Sequence, residues 1–144
     1  MWDKRIDGTW WTLRVVFGVV PIVAGLDKFT GILADWQAYL SPLARDLLPV
    51  SASTFMHVVG IVEIAAGVLL LARPRIGGLV VGAWLVGIAV NLVATGHYFD
   101  VAVRDVVMAV SAFCLAQLSE ARERLRAPSR RAAPEATGAV PAHA

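Results

Sequence analysis

A glutamate inside an apolar run is the first residue here whose type and place could do chemistry. Glu63 lies between Phe55 and Leu71, where its only strongly polar company is His57. A carboxylate taken out of water can accept and hand on a proton, because loss of hydration brings its charged and neutral forms close in free energy. Within a hydrocarbon layer it costs roughly 2.5–3.5 kcal/mol on insertion scales, so it calls for a cation, a proton or an aqueous cavity beside it. Two cations are candidates. Arg14, Gly18, Pro21, Gly25 and Lys28 step by three and four and share one helical stripe, and Gly60, Glu63 and Gly67 form another. If the stripes meet, Arg14 reaches Glu63 from the inner side and Lys28 from the outer side. A guanidinium can grip a carboxylate with two parallel bonds, which favours Arg14 and leaves Lys28 as the alternative.

Further polar residues converge on the outer half of the same chain. A pocket there is expected to be lined by Lys28, His57, Glu63, Asn91, His97, Tyr98 and Asp105. Asn91 serves equally well as an interhelical hydrogen-bonding residue, and His97 and Tyr98 as interfacial anchors. Two dipeptides of opposite sign, Asp27-Lys28 and Arg104-Asp105, fall at similar depth and are expected to pair crosswise, Asp27 with Arg104 and Lys28 with Asp105, or to form one of these pairs. The competing expectation is that all four side chains reach out to the headgroups. His57 and His97 also admit a bis-histidine haem, a weaker reading because two histidines near a surface are common. No metal site is expected. Cys114 stands alone, which excludes an internal disulfide, a Cys-x-x-Cys redox pair and a cysteine-based zinc site.

The elements that must hold these groups follow from composition. The chain is 58% hydrophobic with a mean hydropathy of +0.67, too apolar for 144 residues to bury around a water-exposed core. Four spans can be drawn: Trp10 to about Phe29, Phe55 to Leu71, Ile76 to Ala94, and Val101 to Leu118. The first stretch is read as a spanning helix and not as a cleaved leader. Between Arg14 and Asp27 it offers only about 18 Å of uncharged helix against a hydrocarbon core of about 30 Å, so charged residues must enter the membrane. The fold class is therefore all-α, a four-helix transmembrane bundle.

From Gly31 to Ser53 the chain is too polar to span, yet Ile32, Leu33, Trp36, Tyr39, Leu40, Leu43 and Leu47 recur at helical spacing. This predicts an outer interfacial helical segment between the first two spans, broken by Pro42, with Trp36 and Tyr39 at headgroup level and Ser51 or Ser53 capping the second span. Lys4 and Arg5, Arg73 and Arg75, and the arginines after Leu118 put both termini in the cytoplasm of a multi-pass protein. Residues 1–118 then form the membrane domain, and 119–144 a helical extension followed by a disordered basic tail. A net charge of +2 and a pI near 9.1 reflect this topology and not nucleic-acid binding, for which no basic-aromatic patch exists.

These signals resemble the DoxX family of small four-helix bacterial membrane proteins. The resemblance lies in Arg14-Val15-Val16-Phe17-Gly18 leading to Ala24-Gly25-Leu26-Asp27-Lys28-Phe29, in Gly60 to Leu71 around Glu63, in the Gly-rich third span, and in Asp105 opening the fourth. The Asp35 to Pro42 loop and Arg104-Asp105 are similar to one subgroup. The resemblance implies charged family positions at Arg14, Lys28, Glu63 and Asp105. It also implies a link to quinone chemistry, since some family members are subunits of a thiosulfate:quinone oxidoreductase and others associate with redox stress proteins. The expectation is an inner-membrane subunit in which Glu63 accepts a proton from a quinol hydroxyl and electrons pass to an oxidoreductase partner. The alternatives are a membrane scaffold that assembles another protein, and a small proton-coupled transporter that dimerises through Gly78 and Gly82.

Overall fold

The structure, a computed structural model, describes residues 4–131. Five α-helices follow one another: α1 (Lys4–Thr30), α2 (Pro42–Leu47), α3 (Ala52–Ala72), α4 (Pro74–Ala94) and α5 (Phe99–Arg131), with a single 3-10 turn at Trp36–Tyr39. All but α2 are long and apolar enough to cross a membrane. The expected four-helix transmembrane bundle is what forms, and the segment before α3 consists of two short helical pieces separated by Leu40-Ser41.

Local chemistry sets the helix ends. Ser51 caps α3 by accepting from the Thr54 amide at 3.2 Å, and Ser41 caps α2 in the same way from Ala44. Pro42 and Pro74 occupy first-turn positions, where a missing N–H costs nothing. Only Arg73 separates α3 from α4. So tight a reversal needs Gly77, since a Cβ there would lie 2.2 Å from the Leu70 Cα. The α4–α5 turn uses Gly96 at φ +72 and Tyr98 at φ 59.

The four long helices alternate in direction, so both ends of the described chain and the α3–α4 turn lie at one end of the bundle, and α2 and the α4–α5 turn at the other. Helix α1 packs chiefly on α3 and α4 on α5, with α3–α4 and α1–α5 closing the ring. Trp10, Phe17, Leu70, Val81 and Leu115 form the core of the terminal half, and Ala89, Leu92 and Ala102 that of the loop half. Valines and leucines such as Val19, Leu26, Val68, Val90 and Val107 are exposed, as a surface in contact with lipid requires.

The two glycine stripes meet as the sequence predicts. A Cβ on Gly25 would sit 2.5 Å from the Gly60 carbonyl oxygen, and one on Gly67 would sit 2.5 Å from the Gly18 carbonyl oxygen. Gly78 and Gly82 correct an expectation. They are occupied within the chain, Gly78 against Ala112 and Ala116 and Gly82 against the Phe113 ring, and so offer no dimer contact. The fourth spanning helix is also longer than drawn: the backbone stays helical past Leu118 and Pro128 to Arg131, since a proline near a helix end removes a single hydrogen bond. The tail expected to be disordered falls, from residue 132 on, outside the described residues.

Gly25→Ala is expected to separate α1 from α3 and to destabilise the bundle by about 1–3 kcal/mol, as overpacking does. Gly87→Ala, with nothing within 4 Å of its Cβ, should be neutral or slightly stabilising. Unfolding titrations of both variants in mixed detergent compare the two.

Candidate functional site

Bringing Gly25 against Gly60 places the next turn of each helix in register. Lys28, one turn beyond Gly25, then projects along α3 and its ammonium meets the Glu63 carboxylate at 2.5 Å. Both side chains are nearly closed off, at 4% and 8% exposure. The partner of Glu63 is thus Lys28 and not Arg14. The close approach of two glycines lets the ammonium reach Glu63, while the guanidinium of Arg14, further along the same stripe, lies at the Leu71 end of α3.

Trp36 forms the roof. Its ring lies 3.7 Å from the Lys28 ammonium, a cation–π contact strengthened by exclusion of water. Its indole N–H donates at 2.8 Å to Asp27. Asp27 also accepts from the Thr30 hydroxyl at 2.9 Å and from the amides of Ile32 at 2.9 Å and Leu33 at 3.0 Å. Gly31, at φ +65, turns the chain out of α1 and donates to the Asp27 carbonyl. Asp27 is therefore the hub of the loop that carries the roof.

Neither crosswise pair forms. The four donors on Asp27 leave no room for Arg104, whose side chain is 69% exposed and reaches Asp100 one turn back on α5 at 3.7 Å. Lys28 is committed to Glu63 and not to Asp105. Asp105 is buried all the same, at 7% exposure, on the inward face of α5 with Ala102, Ala109 and Ala112.

A cavity of about 350 Å³ opens at the loop end beside this cluster, lined by Lys28, Phe29, Asp35, Trp36, Met56 and His57 among others. Phe29 and His57 stack there, with ring centroids 4.9 Å apart and nearly parallel planes. Of the expected pocket residues, Lys28 and His57 line the cavity and Glu63 lies beneath it. Asn91, His97 and Tyr98 do not line it. The Asn91 amide is used up on the loop backbone, donating to the Tyr39 carbonyl at 2.7 Å and accepting from the Ser41 amide at 3.1 Å. Tyr98 packs edge-on against Tyr39, and His97 is exposed in the α4–α5 turn. Among the described residues no group of three or more His, Cys, Asp or Glu could hold a metal ion.

Arg14 works at the opposite end. Its Nε and Nη2 donate to the Leu71 carbonyl, satisfying the C-terminus of α3, and its guanidinium lies over Trp10 and Trp11. The Trp10 indole donates to Ser119 at 2.8 Å, and Arg122, buried at 8% exposure, covers the Trp10 ring and pairs with Asp7. Sequence reasoning missed this second cluster and the roofing role of Trp36. The available signal was periodic: Ala112, Leu115, Ser119 and Arg122 continue one inward stripe, which marks Arg122 as more than a topology charge.

The comparisons with known proteins agree with this architecture. The family model for DoxX matches residues 9–115, which takes in α1 through most of the apolar part of α5. No curated protein and no solved structure matches the chain.

Two outcomes test the site's geometry. Lys28→Met should destabilise the protein by about 3–5 kcal/mol by stranding a buried carboxylate, and Lys28→Met with Glu63→Met should recover most of the loss, as a double-mutant unfolding cycle reads directly. Asp27→Ala should speed amide hydrogen exchange at Ile32 and Leu33 and shift Trp36 fluorescence, while amides in the middle of α3 stay protected.

Proposed function

We propose that this chain, which belongs to the DoxX family, binds a quinone headgroup at the loop end of its bundle and serves as the membrane subunit of a quinone-linked redox system. The observation that carries the reading is the Lys28–Glu63 pair, buried at membrane depth directly below an aromatic-walled cavity.

The residues present suit such a ligand. The parallel Phe29 and His57 rings and the Trp36 face offer flat surfaces to a planar ring. An ammonium has three donors, and Lys28 can direct one at a ring oxygen while keeping its bond to Glu63. Glu63 stands one hydrogen bond behind that donor and is the acceptor for a hydroxyl proton released at the cavity floor. A bound quinone supplies the two-electron chemistry, and an oxidoreductase partner delivers or removes the electrons. Trp36, held by Asp27, keeps water from the ammonium and so keeps the proton on a defined route.

The setting that goes with this reading is a bacterial plasma membrane with both termini in the cytoplasm. Arg73, Arg75, Arg122 and Arg124 all lie at the terminal end, on the α3–α4 turn and the end of α5, as the positive-inside rule places them. The cavity then faces the outer leaflet.

Purified protein in detergent is expected to bind a short-chain ubiquinone analogue saturably, seen as quenching of tryptophan fluorescence. Trp36→Phe should remove most of the quenching. Glu63→Gln should keep the fold but abolish quinone-dependent electron transfer in membranes that contain the partner. Absence of saturable quenching in the wild type would leave the buried pair as a clamp in a membrane scaffold.

A further inference from the structure

The lipid-facing side of α5 carries two charges where its neighbours are apolar. Asp100, Val103, Arg104 and Val107 are spaced i, i+3, i+4 and i+7, so they share one face of the helix, and all four are exposed. Arg104 and Asp100 approach to 3.7 Å with side chains 69% and 79% exposed, a contact that adds little to stability. A guanidinium one turn inside a spanning helix is costly in hydrocarbon. This one turns away from the bundle, so the group that offsets the cost lies on the lipid side.

Beside the stripe a groove of about 420 Å³ runs between α4 and α5. Its walls are valine, alanine and phenylalanine alone, with Val86, Val90 and Val93 on α4 and Val103, Val106 and Val107 on α5. Val103 and Val107 thus belong both to the charged stripe and to the groove. Between residues 99 and 107 the groove follows α5 for about 12 Å, close to one leaflet of a hydrocarbon core of about 30 Å. Deeper still, the Phe113 ring lies against Gly82, and the walls go no further than Val86 and Val107.

That length decides between occupants. A helix from a second copy would run through both leaflets, whereas a lipid chain occupies one. The charges define the head to which the chain is attached. A phosphate suits the Arg104 guanidinium, which can bind it through two parallel hydrogen bonds. Asp100 stands about 6 Å of helix nearer the loop end, and the long arginine side chain reaches toward water in the same direction. An ammonium lying outward of the phosphate therefore meets the Asp100 carboxylate. A phosphate and a primary ammonium joined by two carbons form the head of phosphatidylethanolamine. The quaternary head of phosphatidylcholine has no N–H to donate.

We infer that the α4–α5 groove binds one phosphatidylethanolamine from the leaflet at the loop end, with an acyl chain between the valine walls, the phosphate on Arg104 and the ammonium on Asp100. The groove lies apart from the cavity formed by α1, the Trp36 loop and α3, so the inference does not depend on what occupies that cavity.

The test is native mass spectrometry of the full chain released from nanodiscs that contain equal amounts of phosphatidylethanolamine and phosphatidylcholine. Wild type is expected to retain one phosphatidylethanolamine with about fivefold preference, the size of effect that one exposed charged contact gives. Asp100→Asn should remove the preference while lipid is still retained, and Arg104→Gln should lower retention of both lipids. Val90→Trp, which fills the groove from a position 65% exposed, should also lower both. Exchanging the charges, Asp100→Arg with Arg104→Asp, keeps an ion pair one turn apart but reverses its order along the helix. Loss of the preference is expected, whereas a pair that served only the helix would leave it unchanged. Equal retention of the two lipids by wild type, a preference that survives the exchange, or a dimer that carries no lipid overturns the inference.

Discussion

An ammonium and a carboxylate in contact inside a lipid-facing bundle constrain everything near them. Neither charge can be left alone at that depth, so the helices that carry them must approach until Lys28 and Glu63 touch. That approach is available only where both backbones lack side chains, which accounts for Gly25 facing Gly60 and Gly18 facing Gly67. The contact also needs shielding from the loop side. Trp36 supplies it, and Asp27 fixes Trp36 through a carboxylate saturated by four donors. The ion pair, the glycine seam and the loop are one arrangement, and a change in any of them is felt in the other two.

The opposite end of the bundle solves a different problem by similar means. There the carbonyls at the end of α3 need donors, and Arg14 provides them while resting on Trp10 and Trp11. Arg122 closes the other side of Trp10 and ties α5 to α1 through Asp7. Aromatic rings under guanidinium groups hold three helices together without burying a bare charge. The loop end thereby stays free to carry a cavity, because it is not what secures the helices at the terminal end.

Much of the bundle was legible in the sequence because membrane helices announce themselves by composition. The stripes Gly18-Gly25-Lys28 and Gly60-Glu63-Gly67 gave the right helix faces, and Ser51 and Pro42 the right breaks. Partner choice was not legible. Arg14 and Lys28 lie on the same stripe on either side of Glu63, and only the register of α1 on α3, set by which carbonyl fits against which glycine, separates them. Asp27 misled for a related reason. A carboxylate beside a lysine suggests a distant cation, yet its donors came from the next nine residues, as Gly31 turned the chain back over it. Asn91 was read as a possible pocket residue and instead binds loop backbone, a pairing that requires knowing where Tyr39 and Ser41 come to rest.

The unequal lengths of the helices give the molecule two unlike faces. Helices α3 and α4, of 21 residues each, are about 32 Å long and match a hydrocarbon core of about 30 Å. Helix α5, with 33 residues, is about 50 Å long and must overshoot by nearly 20 Å. Arg122 lies about 35 Å along it, so the Asp7–Arg122 pair rests close to the headgroups, where charge is tolerated. Beyond that point α5 stands clear of the membrane plane as a post. A protein approaching from the terminal side would meet that post first, whereas the other end of the bundle presents a roofed opening beside Lys28 and His57.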